Sequence, residues 1–302
     1  MLEFIFSENF LTSSICYALP IIFAAYAALI SNKAGIININ IEGSMSVSAV
    51  IGALVSCFTG SWALGLIGAV AAGVAMSLLL SFAAIRLHTD SFLSGIALNT
   101  LATGLCVLIL QTTLGVKGDS SAAPSVVIPT LTIPLLSKIP VIGKALFAQN
   151  ILFYAALLAL GALCFLLNRT KLGLYIRAVG YNREAASSVG ISVSGAKRSA
   201  LILCGILAGM GGAYLSMVSL GYFSVGMVGG RGFIGIAAEA MGAGNPLLIT
   251  LFAFLFGAVD YFAVGAQTVL NIPYELLNTL PYLMTLAAMM ICSLVTRKRK
   301  QQ

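Results

Sequence analysis

Arg169-Thr170-Lys171-Leu172-Gly173-Leu174-Tyr175-Ile176-Arg177-Ala178-Val179-Gly180-Tyr181-Asn182-Arg183-Glu184-Ala185-Ala186-Ser187-Ser188-Val189-Gly190, continuing to Lys197-Arg198, is the stretch from which the rest of the chain can be read. Six basic residues and one acid fall between positions 169 and 198 of a chain that is only 8% charged. The runs on either side, residues 151–167 and 199–220, are apolar and of the length that crosses a bilayer core, about 20 residues of helix. A short polar segment with a helical look is therefore held at one face of a membrane, within reach of a soluble partner.

Composition agrees. The chain has 302 residues, is 60% hydrophobic and has a mean hydropathy of +1.04. A water-soluble fold of this size could not bury so much apolar surface. In lipid each backbone N–H and C=O must pair within the protein, and long continuous apolar runs satisfy that rule as helices, not as barrel strands. The expected fold is an all-α polytopic membrane bundle of about nine spans (eight to ten), one transmembrane domain over residues 1–302. The spans fall at 11–30, 41–58, 62–85, 91–114, 151–167, 199–220, a shorter glycine-broken 233–243, 247–266 and 279–295.

The net charge of +7 suggests nucleic acid, but the basic residues sit at the ends of apolar spans and form no face with interleaved aromatics. They set orientation instead. With the N-terminus outside, Lys33, Arg86, the 169–198 cluster and Arg297-Lys298-Arg299-Lys300 all lie inside, and the C-terminus is cytoplasmic. Glu3, Glu8, Asp119 and Glu275 then lie outside, with Lys117, Lys138, Lys144 and Arg231 as exceptions. The N-terminus lacks a basic n-region, unlike a cleaved signal peptide. An outer loop over residues 116–150 holds half of the eight prolines, and its short apolar pieces suit either lying against the membrane surface or capping the bundle.

Several chemistries are absent. Gly190-Ile191-Ser192-Val193-Ser194-Gly195-Ala196-Lys197-Arg198 falls short of a phosphate loop, with Ala before the Lys and Arg where Ser or Thr should follow. His88 is the only histidine, so one chain can build no His-based metal cluster or triad. The six cysteines lie in apolar spans without a CxxC pair and read as small buried hydrophobes. No cofactor is expected.

The polar loop reads as a coupling element. Asn182 can cap a short helix over residues 183–189, and Gly190 can end it in the left-handed conformation. Arg183, Glu184, Ala185, Ala186, Val189 and Gly190 are its candidate contact residues, the two alanines allowing close approach. An ordinary basic inner loop is the plainer alternative. Asn99, Glu239 and Asp260 are candidate solute-path residues, because polar groups in apolar spans face protein or a wet cavity. Each could equally bond a neighbouring helix. Glu42, at the start of the second span, suits a cap favoured by the helix dipole. Gly205, Gly209, Gly211 and Gly212 give the sixth span a thin face that suits packing, with a bending joint as the alternative. Finally, Gly35-Ile36-Ile37-Asn38-Ile39-Asn40-Ile41-Glu42 echoes Gly232-Phe233-Ile234-Gly235-Ile236-Ala237-Ala238-Glu239, by chance or by an old duplication.

Together these motifs resemble a known family. Lys33-Ala34-Gly35-Ile36-Ile37-Asn38-Ile39-Asn40-Ile41-Glu42-Gly43 is similar to the segment after the first helix in permeases of the branched-chain amino acid and simple-sugar class of ABC importers. Ala178-Val179-Gly180 with Ala185-Ala186 and Gly190-Ile191 resembles that class's cytoplasmic coupling loop. Gly230-Arg231-Gly232-Phe233-Ile234 and Gly242-Ala243-Gly244-Asn245-Pro246-Leu247 resemble its late block. Residues 133–143 are similar to the nucleoside-uptake branch. The resemblance implies a type II importer-like permease without an ATP site, paired with a second permease (identical or different). It implies ABC ATPase subunits below and an external substrate-binding lipoprotein above, in the cytoplasmic membrane. A sugar or branched-chain amino acid permease, an ion-coupled transporter and an intramembrane enzyme are the rival readings.

Overall fold

The computed structural model describes residues 8–132, 147–270 and 290. Helix α1 spans Glu8–Lys33, α2 Ile41–Thr59, α3 Trp62–Ser81 and α4 Ser91–Leu114. After a capping region come α5 (Ile151–Arg169), α6 (Lys171–Tyr181), α7 (Arg183–Ser188) and α8 (Val193–Tyr214). The short α9 (Arg231–Met241) and α10 (Pro246–Leu270) follow. Helices α3 and α8 each run on into a wider π-turn, Phe82–Arg86 and Leu215–Ser219.

Local chemistry explains the starts. Asp90 accepts from the Leu93 N–H at 2.9 Å, Asn150 from the Leu152 N–H at 3.0 Å, Thr170 from the Gly173 N–H at 3.1 Å and Ser192 from the Gly195 N–H at 3.2 Å. Each supplies an acceptor to a first-turn donor that the helix itself leaves open. The Ser192 cap starts α8 six residues before the expected span, so Lys197 and Arg198 lie in its first turns and not in a loop.

Helix α1 is the axis of the bundle. Its side chains from Ala18 to Ile30 are buried almost without exception, and α8, α9 and α10 surround it. The Tyr26 hydroxyl shares a 2.8 Å hydrogen bond with Thr250, so its one polar atom is satisfied in the core. Helices α3 and α8 approach backbone to backbone: a Cβ on Gly205 would stand 2.6 Å from the Gly73 carbonyl oxygen, and one on Gly209 would stand 2.7 Å from the Val70 Cα. The thin face expected of the sixth span is therefore a packing surface, as small residues allow in lipid, where association depends on close contact.

Seven of the described helices are long and apolar enough to cross a membrane. The count of about nine is not reached among the described residues, and the expected span at 279–295 lies outside them. The expected crossing at 233–243 has a different form. Helix α9 has 11 residues, about 16 Å of rise, and cannot span alone. Yet Met217 packs near Gly52 and Gly65 beside the α2–α3 turn, whereas Gly244 lies on Lys33 at the far end of α1. Residues 220–230 and α9 together run from the end of the bundle beside that turn toward the end beside Lys33, half irregular and half helical. Irregular backbone at such depth must be covered by protein. Here the segment after α4 covers it: the Ser125 N–H donates to the Gly221 carbonyl at 2.8 Å, the Val225 N–H to Gly118 at 2.9 Å and the Phe223 N–H to the Ser120 hydroxyl at 2.9 Å. The proline-rich loop is thus a cap in its described part, tied off by strands β1 (Thr130–Thr132) and β2 (Ala148–Asn150) in antiparallel register. Residues 133–143, which resemble the nucleoside branch, lie outside the described residues.

Candidate functional site

The polar segment at 169–198 folds as α6, α7 and the first turns of α8. The Asn182 side-chain oxygen accepts from both the Glu184 and the Ala185 N–H at 3.0 Å, which opens α7 as expected. Gly190 follows it with φ +82°, the left-handed conformation that a side chain resists. Arg183, Glu184, Ala185 and Val189 are exposed, and Tyr181 and Val189 stand 95% and 74% exposed. Ala186 differs: it is buried against Val179 and Ala196 and anchors α7 to the chain's own α6 and α8. At this same C-terminal end of α6, Gly180 meets the Lys33 carbonyl and the Gly35 backbone so closely that a Cβ would collide. This contact joins the polar segment directly to the end of the axial helix.

Glu42 caps a helix, but not its own. Its two carboxylate oxygens accept from the Gly230 and Gly232 N–H groups at 2.8 Å each, closing the start of α9. Two donors that α9 cannot satisfy and one carboxylate that lipid would reject thus solve each other's problem. At the other end of α9, both oxygens of Glu239 accept from the Asn32 side-chain nitrogen at 2.9 Å. The two echoing segments therefore face each other, the Glu of one meeting the Gly of the other. Sequence similarity between them was the only signal of that contact.

The structure does not bring Asn99, Glu239 and Asp260 to one place. Asn99 ties α4 to the start of α2, accepting from the Gly43 N–H at 2.8 Å and donating to the Ile39 carbonyl at 3.0 Å. It also lines an open-sided cleft of about 490 Å³ with Glu42, Ser46, Thr103 and Phe233. Glu239 lines a second cavity of about 240 Å³ with Ser31, Asn32, Asn38 and Ile236. Asp260 accepts from Arg231 at 2.9 Å, the two side chains being 18% and 21% exposed. Arg231 is thus an internal ion-pair partner, which explains why it broke the charge pattern of the loops. Asp260 is the counter-ion that α9 requires, and its pairing was not legible from spacing. Outside the spans, Ser121 donates from both its N–H and its hydroxyl to Asp119 and holds that carboxyl below its ordinary range.

Comparison with known proteins places the chain. Residues 10–294 match the family described as branched-chain amino acid transport system, permease component, and the chain belongs to that family. It is 35% identical to the nucleoside ABC transporter permease protein NupC of Lactococcus lactis subsp. cremoris, over 89% of this chain and 87% of that one. It is 33% identical to the guanosine ABC transporter permease protein NupQ of Bacillus subtilis, over 92% of this chain and 89% of the relative. It is 30% identical to the putative glucose ABC transporter permease protein TsgC13 of Haloferax volcanii, over 94% and 91%. A solved chain of PsaBC from Streptococcus pneumoniae, determined in complex with a Fab, shares the fold with a TM-score of 0.53 at 12% identity, covering 96% of this chain and 93% of that one. The protein is a multi-pass membrane permease component.

Proposed function

We propose that this chain is the membrane-spanning subunit of an ATP-driven importer that moves nucleosides across the cytoplasmic membrane by alternating access. The solute class rests on the nucleoside and guanosine permeases among its relatives. The observation that carries the coupling reading is α7: a helix capped by Asn182, mounted on the axial helix through Gly180, with Arg183, Glu184, Ala185 and Val189 turned outward. In this reading α7 sits in a groove of an ABC ATPase, and Ala186 and Gly190 shape it without touching the partner. The N-terminus is outside and the C-terminus inside, so the 169–198 segment faces the cytosol. A second permease, identical or different, completes the path, and an external binding lipoprotein delivers solute to the end capped by residues 116–132. The whole chain acts as one transmembrane unit. The ATPase can drive the switch only because its two states grip α7 differently.

The decisive experiment is affinity purification of the tagged chain from membranes, with identification of the co-purifying subunits, followed by uptake competition. An ABC ATPase is expected in the complex, and unlabelled guanosine or inosine is expected to block uptake where ribose, glucose and leucine do not. The glucose permease among the relatives makes a sugar the second reading. Blockage by glucose or ribose alone would establish it, and uptake that survives ATP depletion would remove the importer reading.

A further inference from the structure

The open-sided cleft between α2, α4 and the start of α9 has a chemical bias. We infer that it is a solute station selective for neutral, flat, hydrogen-donating solutes, and that Ser46, Thr103 and Phe233 set that selectivity. The inference rests on the nucleoside reading above and names where and how the solute is held.

The hydroxyls decide its polarity. Ser46 donates to the Glu42 carbonyl at 3.0 Å, Thr100 to the Ile96 carbonyl at 3.3 Å and Thr103 to the Asn99 carbonyl at 3.1 Å. Each hydroxyl hydrogen is thereby spent on the backbone, and the oxygen is left as an acceptor. The Glu42 carboxylate accepts one N–H per oxygen and keeps further lone pairs. Among the polar side chains of the cleft, the spare donors are one N–H of Asn99, whose partner N–H serves the Ile39 carbonyl, and the weak S–H of Cys106. A solute entering here must bring donors: sugar hydroxyls, or the amino and imino groups of a base. A phosphate or a carboxylate would bring lone pairs to lone pairs.

Shape adds the second criterion. Phe233 is 43% exposed and lines the cleft together with Phe223, so a flat ring finds an aromatic face while a bare sugar does not. Thr100 and Thr103 are exposed on a helix whose other exposed side chains include Leu93, Leu101 and Leu108. A hydroxyl pair on one line of an apolar helix is what a wet path needs and what lipid does not. The second cavity continues the line along α9. It is walled by Ile236 and Glu239, and the buried Asn38 side-chain oxygen there has no protein partner. Both polar spaces therefore follow one helix, between the two echoing segments.

The test is photolabelling of the assembled importer in membrane vesicles with tritiated 8-azidoguanosine during ATP turnover, followed by peptide mapping. Label is expected on peptides carrying residues 91–106 or 223–233. Guanosine should displace it, and equimolar guanosine 5′-monophosphate should not. The double substitution Ser46→Ala with Thr103→Val should cut labelling about tenfold through two lost hydrogen bonds. Thr112→Val, a hydroxyl removed from the same helix outside the cleft, should leave it unchanged. Phe233→Leu should lower labelling with chromatographic assembly intact. Label on this chain that maps elsewhere, or wild-type labelling in the double variant, overturns the cleft. Equal displacement by the monophosphate overturns its bias against anions. Uptake blocked by ribose or leucine and untouched by guanosine overturns the nucleoside reading itself, a result the uptake assay gives independently of the mapping.

Discussion

Glu42 opens α2 in sequence, yet its carboxylate serves a helix start 190 residues away. Position within a helix showed that a capping role was available; only folding chose the recipient. Asp260 tells the same story. A lone acid in an apolar span implies a partner inside the protein, and the partner is Arg231, itself misplaced by any reading that assigns it to a loop. Because both side chains are largely buried, Asp260→Ala leaves an uncompensated guanidinium and should destabilise the protein by about 3 kcal/mol. Adding Arg231→Met should recover most of that loss, measured as thermal unfolding of the detergent-purified chain. A double variant no more stable than Asp260→Ala would show that the pair is not a closed unit. Asn182→Ala removes two hydrogen bonds at the start of α7 and should cost about 1 kcal/mol of local stability. Its readout is faster amide exchange at residues 184–188 with global unfolding unchanged.

At the scale of elements, α7 is too short to be stable alone, so its two turns depend on the cap and on Ala186 beneath it. Glu184→Lys or Ala185→Trp changes only the outward face. Either should leave membrane insertion intact and uncouple ATP hydrolysis from uptake, measured as ATP consumed per solute in vesicles. Normal stoichiometry in both variants would sink the coupling assignment. Helices α3 and α8 depend on the absence of side chains where they cross. Gly205→Leu would drive a side chain into the Gly73 and Val74 backbone, at a cost of at least 1–3 kcal/mol. A sharp fall in monodisperse protein on size exclusion is expected, whereas Gly161→Leu, on the open face of α5, should behave as wild type. The discontinuous element, residues 220–230 with α9, is held by groups from α2, α1, α10 and the cap. A segment so fixed at several points can move only as those contacts exchange.

For the whole molecule, the proposed orientation puts α7 in the cytosol. A cysteine at Ser187, an exposed position, should react with a membrane-impermeant maleimide in inside-out vesicles and not in intact cells. The reverse pattern would invert the topology, and the importer reading with it. Much of the architecture was legible beforehand, because lipid leaves backbone few choices: seven apolar runs stand as helices close to their expected limits, and the polar stretch stands as a capped helix. The segment at 220–241 was legible only as an irregularity. Its glycines broke the apolar run, but nothing local said that residues 118–128 would supply the missing hydrogen bonds. The three candidate solute-path residues were legible as polar and not as a group, and the structure separates Asn99, Glu239 and Asp260 into three different settings.

By itself, then, the sequence determined the solvent, the helices and a capped, exposed polar helix between two apolar spans, since apolar length, charge position and caps act through near neighbours. Tertiary structure decided which buried polar groups meet: Glu42 with α9, Asn32 with Glu239, Arg231 with Asp260. The reason is physical. Burial of an apolar helix asks only for a fitting apolar neighbour, whereas a hydrogen bond requires one donor and one acceptor within about 3 Å, and residues as much as 224 positions apart reach that distance only in the packed bundle.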